Sequence, residues 1–293
     1  MVDPNNITNI ITTTINTLIQ NLLSSLDNSL YQILDNITFI DLNIINSSLF
    51  QKLLGTNNHN GLLLITNSLL IGLAIYYGFR LLYSRYMNIQ IEKPYQFIFK
   101  LIIIGICMNS SFFLCTQFIQ INSLITDAIL SVGKNILHCE ISFSELINKL
   151  NSTISIGKSD FTIFSFDGII KCFTSFTLFN LVFSYALRYI VIKVFILSTP
   201  FFILTLINNS TSWLFKSWFR SFFSLLIQQS FVAMILLVIF SFNITANNVF
   251  SKLMCIGGIY ALTRANSYIR TIIGGISTDV SNNLNLGSNF IKK

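Results

Sequence analysis

Residues 173–207 read FTSFTLFNLVFSYALRYIVIKVFILSTPFFILTLI, and residues 213–242 read WLFKSWFRSFFSLLIQQSFVAMILLVIFSF. Two long apolar runs flank a short aromatic segment that carries Lys216 and Arg220, and the first run contains Arg188 and Lys193. Apolar runs of about 20 residues are long enough to cross a bilayer, and cations and aromatics collect where helices meet headgroups. No soluble core has this pattern. The stretch predicts an all-α fold, a polytopic transmembrane helical bundle.

The rest of the composition agrees. Of 293 residues, 53% are apolar and only 10% are charged, too greasy for a soluble domain of this size. Mean hydropathy is +0.68. The net charge of +7 is spread through short loops and not gathered into one stripe, so it reads as a topology signal before it reads as a nucleic-acid surface. The opening MVDPNNITNI has no cationic segment and no cleavage site, so no secretory signal peptide is expected.

Working outward, residues 1–57 form an amphipathic extracytoplasmic or interfacial region. Ile7, Ile10, Ile11, Ile15, Leu18, Ile19, Leu22, Leu23, Leu26 and Leu30 recur at helical steps, and a weaker helix follows at 31–54. Residues 58–118 hold a two-span hairpin, with spans near 61–82 and 95–118 separated at Pro94. Residues 119–167 read as a hydrophilic extracytoplasmic loop, with an amphipathic helix and then a Ser- and Gly-rich end suited to short strands. Residues 168–270 form a C-terminal transmembrane bundle with spans near 168–192, 221–242 and 249–269, and 271–293 a cytoplasmic polar tail. The segment 196–207 is short and contains Pro200, which predicts a kinked or re-entrant piece.

About five spans with the N-terminus outside put 12 of the 18 Lys and Arg residues inside and nine of the 11 acids outside. That distribution obeys the positive-inside rule, and a full crossing by 196–207 would expel Arg264, Arg270, Lys292 and Lys293. The expected location is the cytoplasmic membrane, with a cytoplasmic C-terminus.

No catalytic, cofactor or metal motif is present. H-E-x-x-H, G-x-x-x-x-G-K-S/T and G-x-S-x-G are all absent. His59 and His138 lie in predicted loops without a partner at ligand spacing. Of the five cysteines, four sit in or at the ends of apolar helices as small hydrophobes, and Cys139 and Cys172 flank one loop and could pair. Arg188 and Lys193 have two readings. They snorkel at the cytoplasmic end of a span, or they lie deeper and face the bundle interior, where an ionisable group is expensive and functional. Arg188, Lys193, Lys216 and Arg220 together make a candidate cytoplasmic collar, and Gln228 and Gln229 are candidate interhelical polar contacts.

The pair LRYIVIKVFILSTPFF from residue 187 and WLFKSWFRSFFSLLIQQS from residue 213 resembles the TrbL/VirB-six family, the polytopic membrane subunit of type IV secretion systems, in its Gram-positive form. The matching positions are Arg188, Pro200, Trp213, Lys216 and Trp218. Phe201 stands where the family has a small residue, and the central loop is short. The resemblance implies a non-enzymatic channel or scaffold subunit. It would work beside a secretion ATPase, a coupling protein and wall-spanning subunits as an oligomer in lipid, passing single-stranded DNA with its relaxase, or protein. Rival readings are a secondary transporter or permease, for which the sequence offers no repeat and no midplane site, and a membrane-active phage- or bacteriocin-associated protein. An organelle-encoded respiratory subunit would need His ligands or intramembrane carboxylates that the chain lacks.

Overall fold

The computed structural model describes residues 13, 14, 17, 28–40, 48–55, 61–87, 93–153, 166–242 and 249–276. Every regular element among them is helical: α1 Asn28–Thr38, α2 Ser48–Leu54, α3 Leu62–Met87, α4 Pro94–Asn109, α5 Ser111–Leu137, α6 Phe143–Thr153, α7 Phe166–Leu204, α8 Ser212–Ser241 and α9 Val249–Ile273. A 3₁₀ turn, Thr205–Ile207, ends α7. Among the described residues four helices are long and apolar enough to cross a membrane: α3, α5, α7 from Phe176 through the turn to Ile207, and α8. They mark the chain as a multi-pass membrane protein. Helix α4 is apolar but shorter, and α9, which carries Lys252, Arg264 and Arg270, is not among the four.

Local chemistry sets the boundaries. Pro94 opens α4 after an extended Lys93, since proline's fixed φ suits the first helical turn and pushes its predecessor out of helix. His138 takes a left-handed conformation and closes α5 by donating its N–H to the Lys134 carbonyl. Helix α7 runs through Pro200 without interruption, although proline removes one backbone bond, and the Ser198 and Thr199 hydroxyls bond back to the Phe195 carbonyl.

Helices α5, α7, α8 and α9 form the main bundle. The turn at 208–211 makes α8 antiparallel to α7. Helix α5 is parallel to α8: Asn122 and Thr126 meet Gln229 and Ser230, and Gly133 lies against Leu237. Helix α9 is antiparallel to α8, with Gly258 on Ile239 and Gly275 beside Ser224. Helices α3 and α4 form an antiparallel hairpin. Tyr77 stacks on Phe97 with centroids 3.7 Å apart, and Asn67 and Asn109 exchange amide hydrogen bonds of 3.1 and 3.3 Å. The hairpin packs on the end of α7 through Phe97, Ile104, Met108, Ile203, Leu204 and Ile207. One end of the molecule therefore gathers the start of α4, the α7–α8 turn and the end of α9, with Lys100 donating to Asn209 at 3.3 Å. The opposite end gathers α6, the end of α5 and the start of α9.

The structure bears on three expectations. Residues 119–137 are the greater part of α5, so the expected amphipathic helix continues the preceding apolar segment, and it buries Asn122 and Thr126 in the bundle while Asp127, Ser131, Lys134 and Asn135 stay exposed. The segment 196–207 continues α7 through Pro200 and ends in its closing 3₁₀ turn. The described part of the N-terminal region packs on the bundle. Leu34 is buried with Leu178, Leu181 and Leu236, while Ile40 and Phe50 are buried with Cys115, Ile196 and Trp218. The apolar stripe of residues 7–26, the strand-like segment 154–165 and the tail beyond 276 lie outside the described residues.

Candidate functional site

The middle of the bundle is polar. Arg188 is wholly buried, on the face of α7 that also buries Tyr185 and Ile192. Its Nε donates to the Leu225 carbonyl of α8 at 2.9 Å, and its Nη1 donates to the Thr38 carbonyl at 2.9 Å. Thr38 is the last residue of α1, where free carbonyls and the negative end of the helix dipole meet a cation favourably. No carboxylate among the described residues lies within ion-pair distance of Arg188. Two carbonyls and a helix end offset its charge, and Nη2 stays without a partner. Within the fold Arg188 takes the interior position of its two readings, with α8 and α1 closed over the guanidinium.

Gln229 completes the clasp. Its Oε1 accepts from the Ile40 N–H at 3.2 Å, and its Nε2 donates to the Ile40 carbonyl at 3.4 Å. One side-chain amide thus satisfies both backbone groups of a residue that lies beyond α1 and outside any helix. Buried backbone of this kind survives only with such partners. The network runs on into α5: Asn122 Nδ2 donates to Gln229 Oε1 at 3.4 Å, Ser230 Oγ donates to Asn122 Oδ1 at 3.2 Å, and the Thr126 and Ser230 hydroxyls are 3.1 Å apart. Gln228 is buried beside it with Oε1 unpartnered, as are the hydroxyls of Thr38 and Ser184.

The last turn of α1 has a second fastening. Asp35 accepts from the Phe143 N–H at 2.7 Å, the Ser144 N–H at 3.3 Å and the Ser144 hydroxyl at 2.8 Å, so one carboxyl caps the start of α6. Burial pushes that carboxyl above its ordinary range, against the three donors that draw it down.

The proposed collar divides. Lys193 is half-buried with Nζ 4.7 Å from the Tyr189 ring centroid, and Lys216 and Arg220 are exposed on the first turns of α8. Arg188, bonded at Leu225, sits more than a turn deeper than Arg220 and belongs to the interior network. Of the motif positions, Pro200 is buried within α7 and Trp213 is exposed. Trp218 is buried at the centre of an aromatic stack, its ring centroid 5.4 to 6.4 Å from those of Phe195, Phe202, Phe215 and Phe222.

Asn122, Thr126, Ser230, Asp35 and the backbone of 38–40 were not singled out by sequence reasoning. A signal for part of them exists. Ser111, Cys115, Ile119, Asn122 and Thr126 recur at three- and four-residue steps, a small and polar stripe that marks a helix face packed on another helix. Cys139 is a free thiol, as are Cys107, Cys115 and Cys255. Among the described residues no group of three or more His, Cys, Asp or Glu could hold a metal ion. The arrangement can grip an extended backbone and can present a cation, amides and hydroxyls inside a membrane-length bundle. No protein-family model, curated protein or solved structure matches the chain.

Proposed function

We propose that this chain is a non-enzymatic subunit of a translocation channel in the cytoplasmic membrane, of the type IV secretion kind that its motif residues resemble. The observation that carries the reading is the mid-bundle seam of Arg188, Gln229, Asn122, Ser230 and Thr126. Polar groups inside membrane-length helices are expensive and mark transport paths. A seam of one cation, amides and hydroxyls suits contact with a backbone of phosphates or peptide groups and reads no sequence. The burial of Pro200 in α7 and of Trp218 in its aromatic stack supports a structural role for those motif positions.

The topology proposed is five crossings, by α3, by α4 and α5 together, and by α7, α8 and α9, with the N-terminus outside and the C-terminus cytoplasmic. Its support is the clustering of Lys100, Lys216, Arg220 and the end of α9 at one end of the bundle. In this reading Lys193, Lys216 and Arg220 form the cytoplasmic rim, and the partners are a secretion ATPase, a coupling protein, wall-spanning subunits and further copies of the chain.

The same midplane seam favours a second reading, a secondary transporter, which places its substrate site at mid-bilayer. Affinity purification of the tagged chain from crosslinked native membranes separates the two. Recovery of a secretion ATPase, a coupling protein or wall-spanning subunits supports the channel subunit. Recovery of the chain alone as a clean homo-oligomer sinks it and leaves the transporter.

A further inference from the structure

We propose that the outer face of α8 seats one anionic phospholipid, with its phosphate on Lys216, Arg220 and Arg270 of α9 and an acyl chain along the apolar stripe below them. The inference rests on the multi-pass membrane character of the chain and not on the secretion reading.

Helix α8 buries most of its surface and keeps one stripe outward. Lys216, Arg220 and Phe223 are exposed at steps of four and three residues. Beyond Phe223 the exposed residues of α8 are Met234, Val238 and Ser241, at steps of 11, four and three. All these steps return to one side of a helix with about 3.6 residues per turn. Ile227 and Phe231 lie between Phe223 and Met234 on the same side, half-buried. The stripe therefore opens with two cations and is apolar below them. From Phe223 to Met234 it runs about 17 Å at ~1.5 Å per residue. That is about half of a ~30 Å hydrocarbon core, the reach of an acyl chain in one leaflet.

The fold brings Arg270 to the head of this stripe. Helix α9 closes in Gly274 and Gly275, with φ of +86° and +128°. The Gly274 N–H donates to the Arg270 carbonyl at 2.8 Å. A Cβ on Gly274 would stand 2.9 Å from Arg220 Cδ, and one on Gly275 would stand 3.1 Å from Ser224 Cβ. Glycine supplies both the left-handed backbone and the room, so Arg220 lies against the end of α9.

Lys216, Arg220 and Arg270 are exposed, and none pairs with an acid among the described residues. Asp35, Glu140 and Glu145 gather around α6, and Asp127 adjoins Thr126 of the seam. The α9 dipole supplies about half a negative charge against these three cations. Arginine forks take phosphate in paired hydrogen bonds, and basic sites between membrane helices take anionic headgroups. Free phosphate and a nucleic-acid backbone would use the cations and leave the stripe below them uncovered. A lipid uses both.

The test is native mass spectrometry of the full chain released from nanodiscs of mixed phosphatidylcholine and phosphatidylglycerol. The natural chain should retain phosphatidylglycerol in preference, and salt should weaken the preference. Lys216→Gln, Arg220→Gln and Arg270→Gln should each lower it about fivefold, as the loss of one cation at an anionic surface does. Lys134→Gln, exposed at the opposite end, should leave it unchanged. Equal retention of the two lipids by the natural chain overturns the inference, as does a preference that survives all three substitutions. A fall in Lys134→Gln as large as that in Arg220→Gln also overturns it, because net charge would then suffice. Inorganic phosphate and a single-stranded oligonucleotide are offered separately to the chain in phosphatidylcholine discs. Retention of either through Arg220, without a preference for phosphatidylglycerol, assigns the cations to that ligand and overturns the lipid. No partner subunit enters the test, so its failure leaves the secretion reading standing, and the reverse holds.

Discussion

Helix α3 is 26 residues long and α8 is 30, and each is long and apolar enough to cross a membrane. Inside the fold they part. Helix α3 buries only Thr66 and Ser84, and leaves Ile71, Ile75, Tyr76, Phe79 and Leu82 exposed. Helix α8 buries 14 residues, among them Ser221, Ser224, Gln228, Gln229 and Ser230. Apolar length earns insertion and says nothing about neighbours, because lipid tails solvate Leu and Ile as well as another helix does. Packing in a membrane follows small and polar groups that lipid cannot satisfy. The polar seam is thus what makes α8 the centre of the bundle and leaves α3 at its edge.

The sharpest way to break the contrast is Trp218→Ala. Emptying the aromatic stack at the base of α8 should cost about 4 kcal/mol, read as a lower thermal midpoint in detergent. Arg188→Leu comes next. It leaves the Thr38 carbonyl without its side-chain donor and takes the second donor from the Leu225 carbonyl, and should cost about 3 kcal/mol, with protein level in membranes falling in step. Gln229→Leu strips both partners from Ile40 and should cost about 1–2 kcal/mol. Unchanged stability in the last two variants would deny the seam its role in holding the N-terminal segment.

Asp35 offers a finer probe. Its folded value is raised, so the folded chain binds more protons than the unfolded one between the ordinary carboxyl value and the raised one. Its contribution is whole below the ordinary value and declines as pH rises through that window. Relative to Asp35→Asn, the natural chain should therefore lose stability as pH rises from the ordinary carboxyl value through the raised one, and midpoints that stay parallel as pH rises would contradict the assignment. The smallest effect belongs to α3: Ile75→Ala on its exposed face should shift stability by less than about 0.5 kcal/mol.

Much of this fold was legible. The apolar runs announce α3, α7 and α8, and the chain breaks at Pro94 and near 208–211 fall where expected. Helix α5 was legible only in pieces, the end of one span and an amphipathic helix in a loop, because Asn122, Ser123, Thr126 and Asp127 lower its hydropathy. The part played by Asn122 and Thr126 depends on Gln229 and Ser230, more than 100 residues away in sequence and invisible to any local window. Arg188 was singled out with two depths left open, and its burial inside the bundle matches the deeper one. A cation in an apolar run reads as the edge of a membrane, and the carbonyl that lets it stay inside belongs to Thr38, 150 residues earlier. Gln229 was named as interhelical glue, while its bond to a backbone segment required the segment to be found there first. The transport reading draws on the seam and the motif together, and neither alone names a cargo.

The amide pair between Asn67 and Asn109 sets the α3–α4 hairpin to a single notch. Each side chain has the other as its donor and its acceptor at 3.1 and 3.3 Å. A slide of α3 along α4 by one helical turn would carry the two amides about 5.4 Å apart. Both bonds would then be lost at once against a background of lipid-like side chains. The amide pair therefore keeps the two helices of the hairpin in step with each other.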